Sequence, residues 1–530
     1  MKILSITIKK QPKSNIYTLD YCHSDLSIMS RSDKLMPANK EDLLNQLNEL
    51  KLTYSNYLWL IGDVASFLQL MSQIGFNVDA ITMIDLTTEM NMLLLTHPDY
   101  KKNHKHLEQS IRTYNFNTDL SCIYQQVNLI SQILKTHSNI TSSQQQSINQ
   151  MINRTDYVKA MAKITYDDQG FPIDVIKLHT IFDNKDKLIN IMQMQVNEIY
   201  GEIYVDDLSG HRKKIDHQKL KVFANKNNYE WDAPLSRDYL YTDKQTLSDL
   251  AKKNPELQPL YQYITTINSL RGSKLLNIEK YGFIKQNLKL MVKINGNNHQ
   301  DRSQIDLLNA PHWTQTLIKP KPSYSMITIK WHQLELGMTA GLSNDSTLIE
   351  IYKTIEDDVY IALAKMVGAA PQLATKYSHP EIRELFRKLY LSLMNDEEIP
   401  LLLEDINQLK KPLELKEISG ISFHQNDVHS QAKALYDWYQ STFISYANWA
   451  KNIIPDARKN GFIQSLDGWT YFTSDTASNS QISHFPIKAN CAALMRLVIQ
   501  YLAKNNIAII RTDNNTVYFA QCVRCINKQL

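Results

Sequence analysis

The sequence predicts a helix-rich α/β protein with more than one domain. The chain has 530 residues, which is more than one hydrophobic core usually organises, so about two to four domains are expected. It contains only 14 Gly, which disfavours a fold built from many tight turns. Strand-like alternation occurs at both ends of the chain, and the stretches between them carry apolar residues at helical spacing.

Residues 1–150 are predicted to alternate between strands and helices. Val64, Phe67, Leu68 and Met71 recur at helical spacing and predict a helix over residues 63–74. Residues 139–153 are polar and rich in Gln, which favours a linker or an exposed helix. The other elements expected in this region are strands at 2–8, 15–21 and 57–61 and a helix at 40–50.

Helices dominate the prediction from residue 157 onwards. The strands expected there are few and lie at 326–331, 507–511 and 516–520. The predicted helices span 158–164, 175–200, 244–252, 257–280, 347–366, 380–394, 428–459 and 489–504.

Charge and cysteine content set broad limits on function. A net charge of +4 permits nucleic-acid binding without requiring it. Five scattered Cys are typical of a reducing compartment, so a cytoplasmic location is expected. Cys522 and Cys525 form a lone CxxC without a second pair, which favours two free thiols over a zinc site. No run approaches the roughly 18 apolar residues of a membrane span, so no membrane partner is expected.

Four blocks of sequence follow one another in a distinctive order. The first joins WTQTLIKPKP (313–322) to TIKWHQLELG (328–337), and the second joins EDDVY (356–360) to ALAK (362–365). The third is RELFR (383–387). The fourth joins GW (468–469), HFPIKAN (484–490) and LMRL (494–497) to RTDN (511–514). Together they resemble the palm and fingers motifs of family A DNA polymerases, and most closely those of the phage-type and bacterial stand-alone branch.

This resemblance implies a right-hand polymerase with palm, fingers and thumb, preceded by a vestigial RNase H-like 3′–5′ exonuclease domain. The implied domains are an exonuclease-like domain at 1–150, a helical thumb and start of the palm at 151–320, and the palm and fingers at 321–530. The exonuclease-like domain is expected to be inactive, because its first strand lacks the Asp-x-Glu pair that two-metal chemistry needs. IDLTTE (84–89) is similar to its middle strand, while the alternative for Asp85 and Glu89 is ordinary surface polarity.

The implied catalytic centre is degenerate. Asp513 corresponds to the motif C acid, both catalytic and metal-binding, although Asp-Asn-Asn is also simple turn chemistry. Lys330 stands where the resemblance requires the motif A Asp, and Glu335 is a remnant that lies beside the sugar in the family. An ammonium group there repels Mg²⁺, the cofactor implied if the protein is active, and pairs with Asp513 instead. Asp345, Asp357 and Asp358 are acids further along the chain that reach the site only if the chain folds back.

The nucleotide-binding and DNA-binding positions have also changed. Arg387 replaces the family's Lys, Asn395-Asp396 replace its Tyr-Gly, and Thr512 replaces the motif C His. A solvated basic face beside Glu384 is the alternative for the fingers arginines. Lys274, Lys285, Lys289 and Lys293 are further candidates for phosphate contacts, the last three on one face if that segment is a helix. The residues implied to contact nucleotide or DNA are Gln333, Arg383, Arg387, Lys388 and Lys488.

Three functions follow as alternatives. The first is a pseudoenzyme that resembles a nucleotidyltransferase and binds primer-template DNA in replication, repair or defence. The second is an active polymerase with a rearranged two-metal site, and the third is a protein-interaction scaffold without a nucleic-acid role. The first two require Lys330 and Asp513 close together, on neighbouring strands of one sheet.

Overall fold

The computed structural model divides the chain into two compact units. The first contains Met1–Tyr166, Leu290–Gln300 and Ile327–Phe519, and the second contains Asp167–Lys289, Asp301–Met326 and Ala520–Leu530. The residues that the structure describes are 2–10, 16–24, 29–96, 130, 143–166, 171–206, 213–229, 231, 240–271, 283–284, 288–293, 296–301, 317, 319, 322–354, 358–395, 403, 406–407, 409, 412–417, 420–473, 477–513 and 515–522.

Many more of the described residues lie in helices than in strands, as the sequence predicts. The strands are β1 (Ile3–Lys10), β2 (Tyr17–Ser24), β3 (Met29–Leu35), β4 (Leu58–Ile61), β5 (Met83–Asp85), β6 (Phe171–Pro172), β7 (Tyr204–Asp206), β8 (Lys213–Ile215), β9 (Phe283–Ile284), β10 (Leu288–Lys293), β11 (Gly296–Asp301), β12 (Tyr324–Lys330), β13 (Phe462–Gln464), β14 (Thr470–Phe472), β15 (Ala508–Asp513) and β16 (Thr516–Cys522). The helices are α1 (Lys40–Thr53), α2 (Val64–Ile74), α3 (Leu86–Thr96), α4 (Gln144–Tyr166), α5 (Val175–Asp183), α6 (Lys185–Tyr200), α7 (His217–Lys226), α8 (Lys244–Lys253), α9 (Gln258–Arg271), α10 (Leu334–Ser343), α11 (Ser346–Thr354), α12 (Val359–Met366), α13 (Pro380–Asn395), α14 (Val428–Thr442), α15 (Ile444–Asn460) and α16 (Asn479–Lys504).

The first unit begins with a five-stranded sheet in the order β3-β2-β1-β4-β5. β1 pairs antiparallel with β2 and parallel with β4, and β4 pairs parallel with β5. Trp59 and Ile61 of β4 pack with the buried apolar faces of α1 and α2, which the helical spacing in the sequence predicts. The strand predicted at 84–89 is wrong beyond Asp85, because α3 begins at Leu86.

Helix α4 joins the N-terminal sheet to the C-terminal part of the first unit. It packs against α2 and β5, which precede it in the sequence, and against α16 and β15, which lie near the C-terminal end of the chain. Ser147, Ile148 and Met151 are buried, so the expectation of a linker or exposed helix at 139–153 is wrong for this stretch. Its polarity is misleading because the polar residues Ser147 and Gln150 lie on the buried face of the helix, beside Ile148 and Met151.

Helices α10 to α16 surround the largest apolar core of the first unit. Phe386, Tyr390, Tyr439 and Tyr446 stack and tilt against one another or their neighbours within it. Three long predicted helices have different limits in the structure: 347–366 divides into α11 and α12, 428–459 divides at Phe443, and 489–504 extends back to Asn479. A capping box at Ser478 fixes that earlier start, and Pro486 lies inside α16.

The second unit is helical around its own apolar core. Ile189 and Val196 of α6 pack there with Leu260, Ile264 and Ile267 of α9. The helix predicted at 175–200 is interrupted at Asn184, which ends α5 and precedes α6. Within the described part of the chain, no helix combines the length and the apolar character that a membrane crossing requires.

We expect Gly468→Ala to lower the free energy of unfolding by about 2–4 kcal/mol. Gly468 lies in the turn between β13 and β14 at φ +79°, and an added Cβ would lie 2.1 Å from Cδ of Gln150. Chemical denaturation measures the loss. Gly341→Ala is the matched control, because Gly341 lies in α10 with nothing within 4 Å of an added Cβ. We expect this variant to raise the free energy of unfolding by about 0.5–1 kcal/mol. Equal effects at the two glycines would contradict the prediction.

Candidate nucleotide and DNA site

The end of β12 meets the tip of the β15–β16 hairpin. The three strands form one sheet in the order β12-β16-β15. The backbone N–H of Trp331 donates to the carbonyl of Asn515 at 2.9 Å, and the Asn515 side-chain amide donates to the carbonyl of Trp331 at 3.2 Å. These bonds bring the segment that follows Lys330 against the turn that follows Asp513.

The strands that carry Lys330 and Asp513 are not neighbours, which corrects the prediction. β16 lies between them, and the ends of β12 and the hairpin approach each other through Asn515. Lys330 is exposed, and the backbone of Asp513 ends β15. The side chain of Asp513 and residue Asn514 lie outside the described part of the structure.

The donor groups at this strand end do not fit a two-metal centre. Such a centre needs carboxylates from more than one strand, whereas a lysine ammonium has no lone pair to offer and repels a cation. Among the described residues, no three His, Cys, Asp or Glu side chains are grouped so as to hold a metal ion.

Two of the downstream acids considered as replacements for the missing motif A Asp have other partners. Asp345 is buried and accepts hydrogen bonds from the backbone N–H groups of Leu348 and Tyr446 at 3.0 and 3.1 Å. Asp358 is also buried and caps α12 by accepting from the N–H groups of Tyr360 and Ile361. Both carboxylates hold helix ends, and Asp357 lies outside the described residues.

Gln333 and Glu335 connect the end of β12 to the helices that follow. Gln333 adopts a left-handed backbone (φ +46°) just before α10, and its Oε1 accepts from the N–H of Val359 at 3.3 Å. Glu335 is exposed in the first turn of α10. Burial raises the pKa of Tyr360 to about 12, and the Glu335 carboxylate adds to that rise. Glu335 therefore lies within electrostatic reach of α12.

Arg383 on α13 is fixed by a buried acid. Its Nε donates to Oδ2 of Asp358 at 2.7 Å, and its guanidinium lies 5.3 Å from the ring centroid of Tyr360. The side chain is 29% exposed and that of Asp358 only 3%, so this pair is largely shielded from water. Arg383 thus orients α13 against α12.

Arg387 forms a more open pair one turn further along α13. Its Nε and one terminal nitrogen donate to the two carboxylate oxygens of Glu384 at 2.9 and 2.6 Å. The hydrogen bond from Arg387 lowers the pKa of Glu384, and the Glu384 carboxylate raises the pKa of Arg387. Both side chains are about two-fifths exposed, at 40% and 43%. Exposed pairs of this kind contribute little to stability, so Arg387 can exchange Glu384 for another anion.

The remaining predicted contacts are more scattered. Lys388 is partly buried on α13, and Lys488 is exposed on α16. Lys289 and Lys293 lie in strand β10, so the helical face predicted for them is wrong. Lys274, Lys285 and Asp396 lie outside the described residues.

The first unit also contains a buried charge network that the sequence did not reveal. Arg154 of α4 donates from Nε and a terminal nitrogen to both carboxylate oxygens of Glu89, each at 2.7 Å, and from its other terminal nitrogen to the carbonyl of Asp467 at 3.2 Å. The Asp467 carboxylate in turn accepts from Nε of Arg496 at 3.0 Å, and the Arg496 guanidinium lies over the Trp469 ring. The network connects α3, α4, the β13–β14 turn and α16.

Asp85 and Glu89 are therefore not surface residues, and that alternative is wrong. Glu89 is fully buried and Asp85 is 3% exposed. Asp85 accepts hydrogen bonds from the N–H of Val64 and the hydroxyl of Thr88 at 3.2 and 2.6 Å. Burial, with a smaller contribution from Asp63, raises the pKa of Asp85 to about 7. No short-range pattern in the sequence indicates the burial of Glu89, because its partner Arg154 lies 65 residues further along the chain.

Comparison with known proteins supports the fold that the motifs indicate. No protein-family model matches the sequence, and no curated protein matches it. Among solved structures, the chain is similar to the POL domain of Pol1 from M. smegmatis, in a complex with DNA primer-template and dNTP. The TM-score is 0.62 at 14% identity, covering 99% of this chain and 90% of that one. The chain thus has a mixed α/β, helix-rich fold similar to that of this POL domain.

Proposed function

We propose that this protein binds primer-template DNA in a polymerase-like fold and has lost most or all nucleotidyl transfer. The observation that carries the proposal is the pair of hydrogen bonds between Trp331 and Asn515. It brings the strand end with Lys330 to the hairpin that bears Asp513, where an active polymerase needs two acids. Binding of DNA is inferred from the similar POL domain, which is in a complex with primer-template.

The chemistry at the strand end favours DNA binding without nucleotidyl transfer. A positive charge at Lys330 repels a divalent cation at the strand end where the resemblance requires the motif A carboxylate. It does not supply the Lewis acidity that activates a primer hydroxyl. The candidate replacement acids, Asp345 and Asp358, are already bonded to helix N-termini.

The basic residues have two roles in this proposal: some contact phosphates, and one holds α13 in place. Arg387 on α13 and Lys488 on α16 are accessible for backbone phosphates, and Lys388 follows Arg387 on α13. Arg383 keeps α13 in place through Asp358. Phosphate contacts position DNA without reading its sequence, so the proposed binding is not sequence-specific.

The right-hand architecture belongs to the same proposal. The palm and fingers would occupy 321–530, the thumb 151–320 and an inert exonuclease-like domain 1–150. The burial of Asp85 and Glu89 among their own hydrogen-bond partners supports the loss of nuclease activity. Roles in replication, repair and defence are all compatible with this activity.

Primer extension by the full-length protein, with Mg²⁺ or Mn²⁺ and all four dNTPs, tests the proposal. We expect no extension and no difference between wild type and Asp513→Ala. We also expect DNA binding whose logarithm falls linearly with the logarithm of salt concentration. Extension that disappears in Asp513→Ala would identify an active polymerase with a rearranged site. Absence of binding at low salt would favour the interaction scaffold.

A charge-reversal pair locates the DNA surface in the same assay. Lys488→Glu is expected to weaken binding several-fold and to reduce the salt slope by about 1, as loss of one phosphate contact does. Lys459→Glu is the matched control, because Lys459 is also exposed but lies at the end of α15. Equal losses in both variants would indicate a general charge effect and would contradict the assignment of Lys488.

A further inference from the structure

The loop between α12 and α13, here the 367–379 loop, displays apolar side chains to solvent. Leu373 is 93% exposed and Tyr377 is 83% exposed, and Met366 at the end of α12 is 50% exposed. Large apolar side chains concentrated on one surface segment mark interaction sites more often than single exposed residues do.

The loop is held in one conformation by its own hydrogen bonds. Thr375 and Ser378 exchange backbone-to-hydroxyl bonds at 2.9 and 3.2 Å, and the N–H of His379 donates to the carbonyl of Thr375 at 3.0 Å. Ala370 and Ala374 are buried and anchor the loop to the core of the first unit. Leu373 and Tyr377 are thus presented outward by a braced segment, which lowers the entropy cost of binding.

The charge of the loop is positive. Between Val359 and Pro380 the sequence contains Lys365, Lys376 and His379 and no acidic residue. Nζ of Lys376 lies 5.3 Å from the ring centroid of Tyr377. The adjoining segment contributes Lys416, whose stem covers Gly368, with exposed Glu414 and Glu417 beside it.

We propose that the 367–379 loop binds single-stranded nucleic acid by stacking an unpaired base on Tyr377. An exposed aromatic ring beside a lysine matches the flat face and the phosphate of one nucleotide. Leu373 and Met366 offer apolar surface for a neighbouring base. The loop leads directly into α13 with Arg383 and Arg387, so a strand bound here would continue toward the proposed DNA site. The inference thus extends the proposed function.

The test compares wild type with Tyr377→Ala, Tyr377→Phe and Tyr501→Ala. Each is titrated with a labelled single-stranded oligo(dT), with a blunt duplex and with a primer-template carrying a long 5′ overhang. Tyr377→Ala is expected to weaken oligo(dT) binding about 5- to 100-fold, as loss of one stacked base does. Tyr377→Phe retains the ring and stays within about twofold of wild type. Tyr501 is 66% exposed on α16, so Tyr501→Ala is the matched control and binds as wild type does.

The outcomes separate this inference from the proposed function. Duplex binding with no effect of Tyr377→Ala on single strands overturns the loop assignment and leaves the proposed function intact. Single-strand binding that depends on Tyr377, without any duplex binding, supports the loop and contradicts primer-template binding. Tyr377-dependent binding of an acidic peptide in preference to oligo(dT) makes the loop a protein-docking surface and overturns the inference. Absence of all DNA binding overturns both.

Ultraviolet cross-linking of a 4-thiothymidine oligonucleotide, mapped to residues 367–379, gives an independent readout.

Discussion

Arg154→Met is expected to lower the free energy of unfolding by about 3–5 kcal/mol, because it leaves a buried carboxylate without its counter-charge. Glu89 is fully buried, and Arg154 supplies both hydrogen bonds to its oxygens. The same substitution removes the donor to the Asp467 carbonyl. Chemical denaturation of the full-length protein measures the loss.

Two further variants make the measurement specific to the buried pair. Glu89→Gln/Arg154→Met removes both charges and is expected to recover most of the stability, since the cost arises from the unpaired charge. Arg387→Met breaks the exposed pair with Glu384 and should cost less than about 1 kcal/mol. A loss at Arg154 as small as that at Arg387, or a double variant no better than Arg154→Met, would be inconsistent with this account.

The network has a consequence for the domain organisation. Arg154 and Arg496 connect the N-terminal sheet, through α3 and α4, to the turn and helix that precede the β15–β16 hairpin. Met92 of α3 also packs in one apolar cluster with Trp469 and Phe485. The predicted boundary at residue 150 falls inside α4, so a cut there would expose buried charge and apolar surface together. The N-terminal region is in this respect a structural part of the first unit.

Local signals in the sequence were sufficient for many elements of the fold. Asn39 and Asp63 cap α1 and α2 with their side chains, and both helices begin within one residue of the predicted positions. The order of four motif blocks predicted a polymerase-like fold, and the chain has a fold similar to that of a solved POL domain. Strand order was not predictable in the same way: the position of β16 between β12 and β15 depends on pairing that no motif encodes.

In the candidate site, too, single motif positions were predictable from the sequence, and contacts between distant residues were not. The sequence indicated that Lys330 and Arg387 depart from the family pattern, because single positions within a motif can be compared directly. It did not indicate that Asp358 holds Arg383, a contact across 25 residues that requires α12 and α13 to pack together. Nor did it indicate the burial of Glu89, since a polar residue at the start of a helix resembles a solvated one until its distant partner is known.

Asp85→Asn is expected to stabilise the protein at pH 8 by about 4 kcal/mol and to have little effect at pH 4. The pKa of Asp85 rises from 3.8 to about 7, mainly through burial. Because the folded pKa exceeds the unfolded one, the folded protein retains a proton between about pH 4 and 7 that the unfolded chain releases. Stability therefore falls as pH rises through this range, and the full penalty applies above pH 7.

The Asn variant removes this titration while preserving the contacts of the side chain. Its carbonyl oxygen can accept from the N–H of Val64, and its amide can donate to the hydroxyl of Thr88, as a protonated Asp85 would. The measurement is the free energy of unfolding at several pH values between 4 and 8. Parallel pH profiles for wild type and Asp85→Asn would contradict the raised pKa. They would mean that the Asp85 carboxylate is stabilised in the folded protein by its two hydrogen-bond donors, the N–H of Val64 at the start of α2 and the hydroxyl of Thr88.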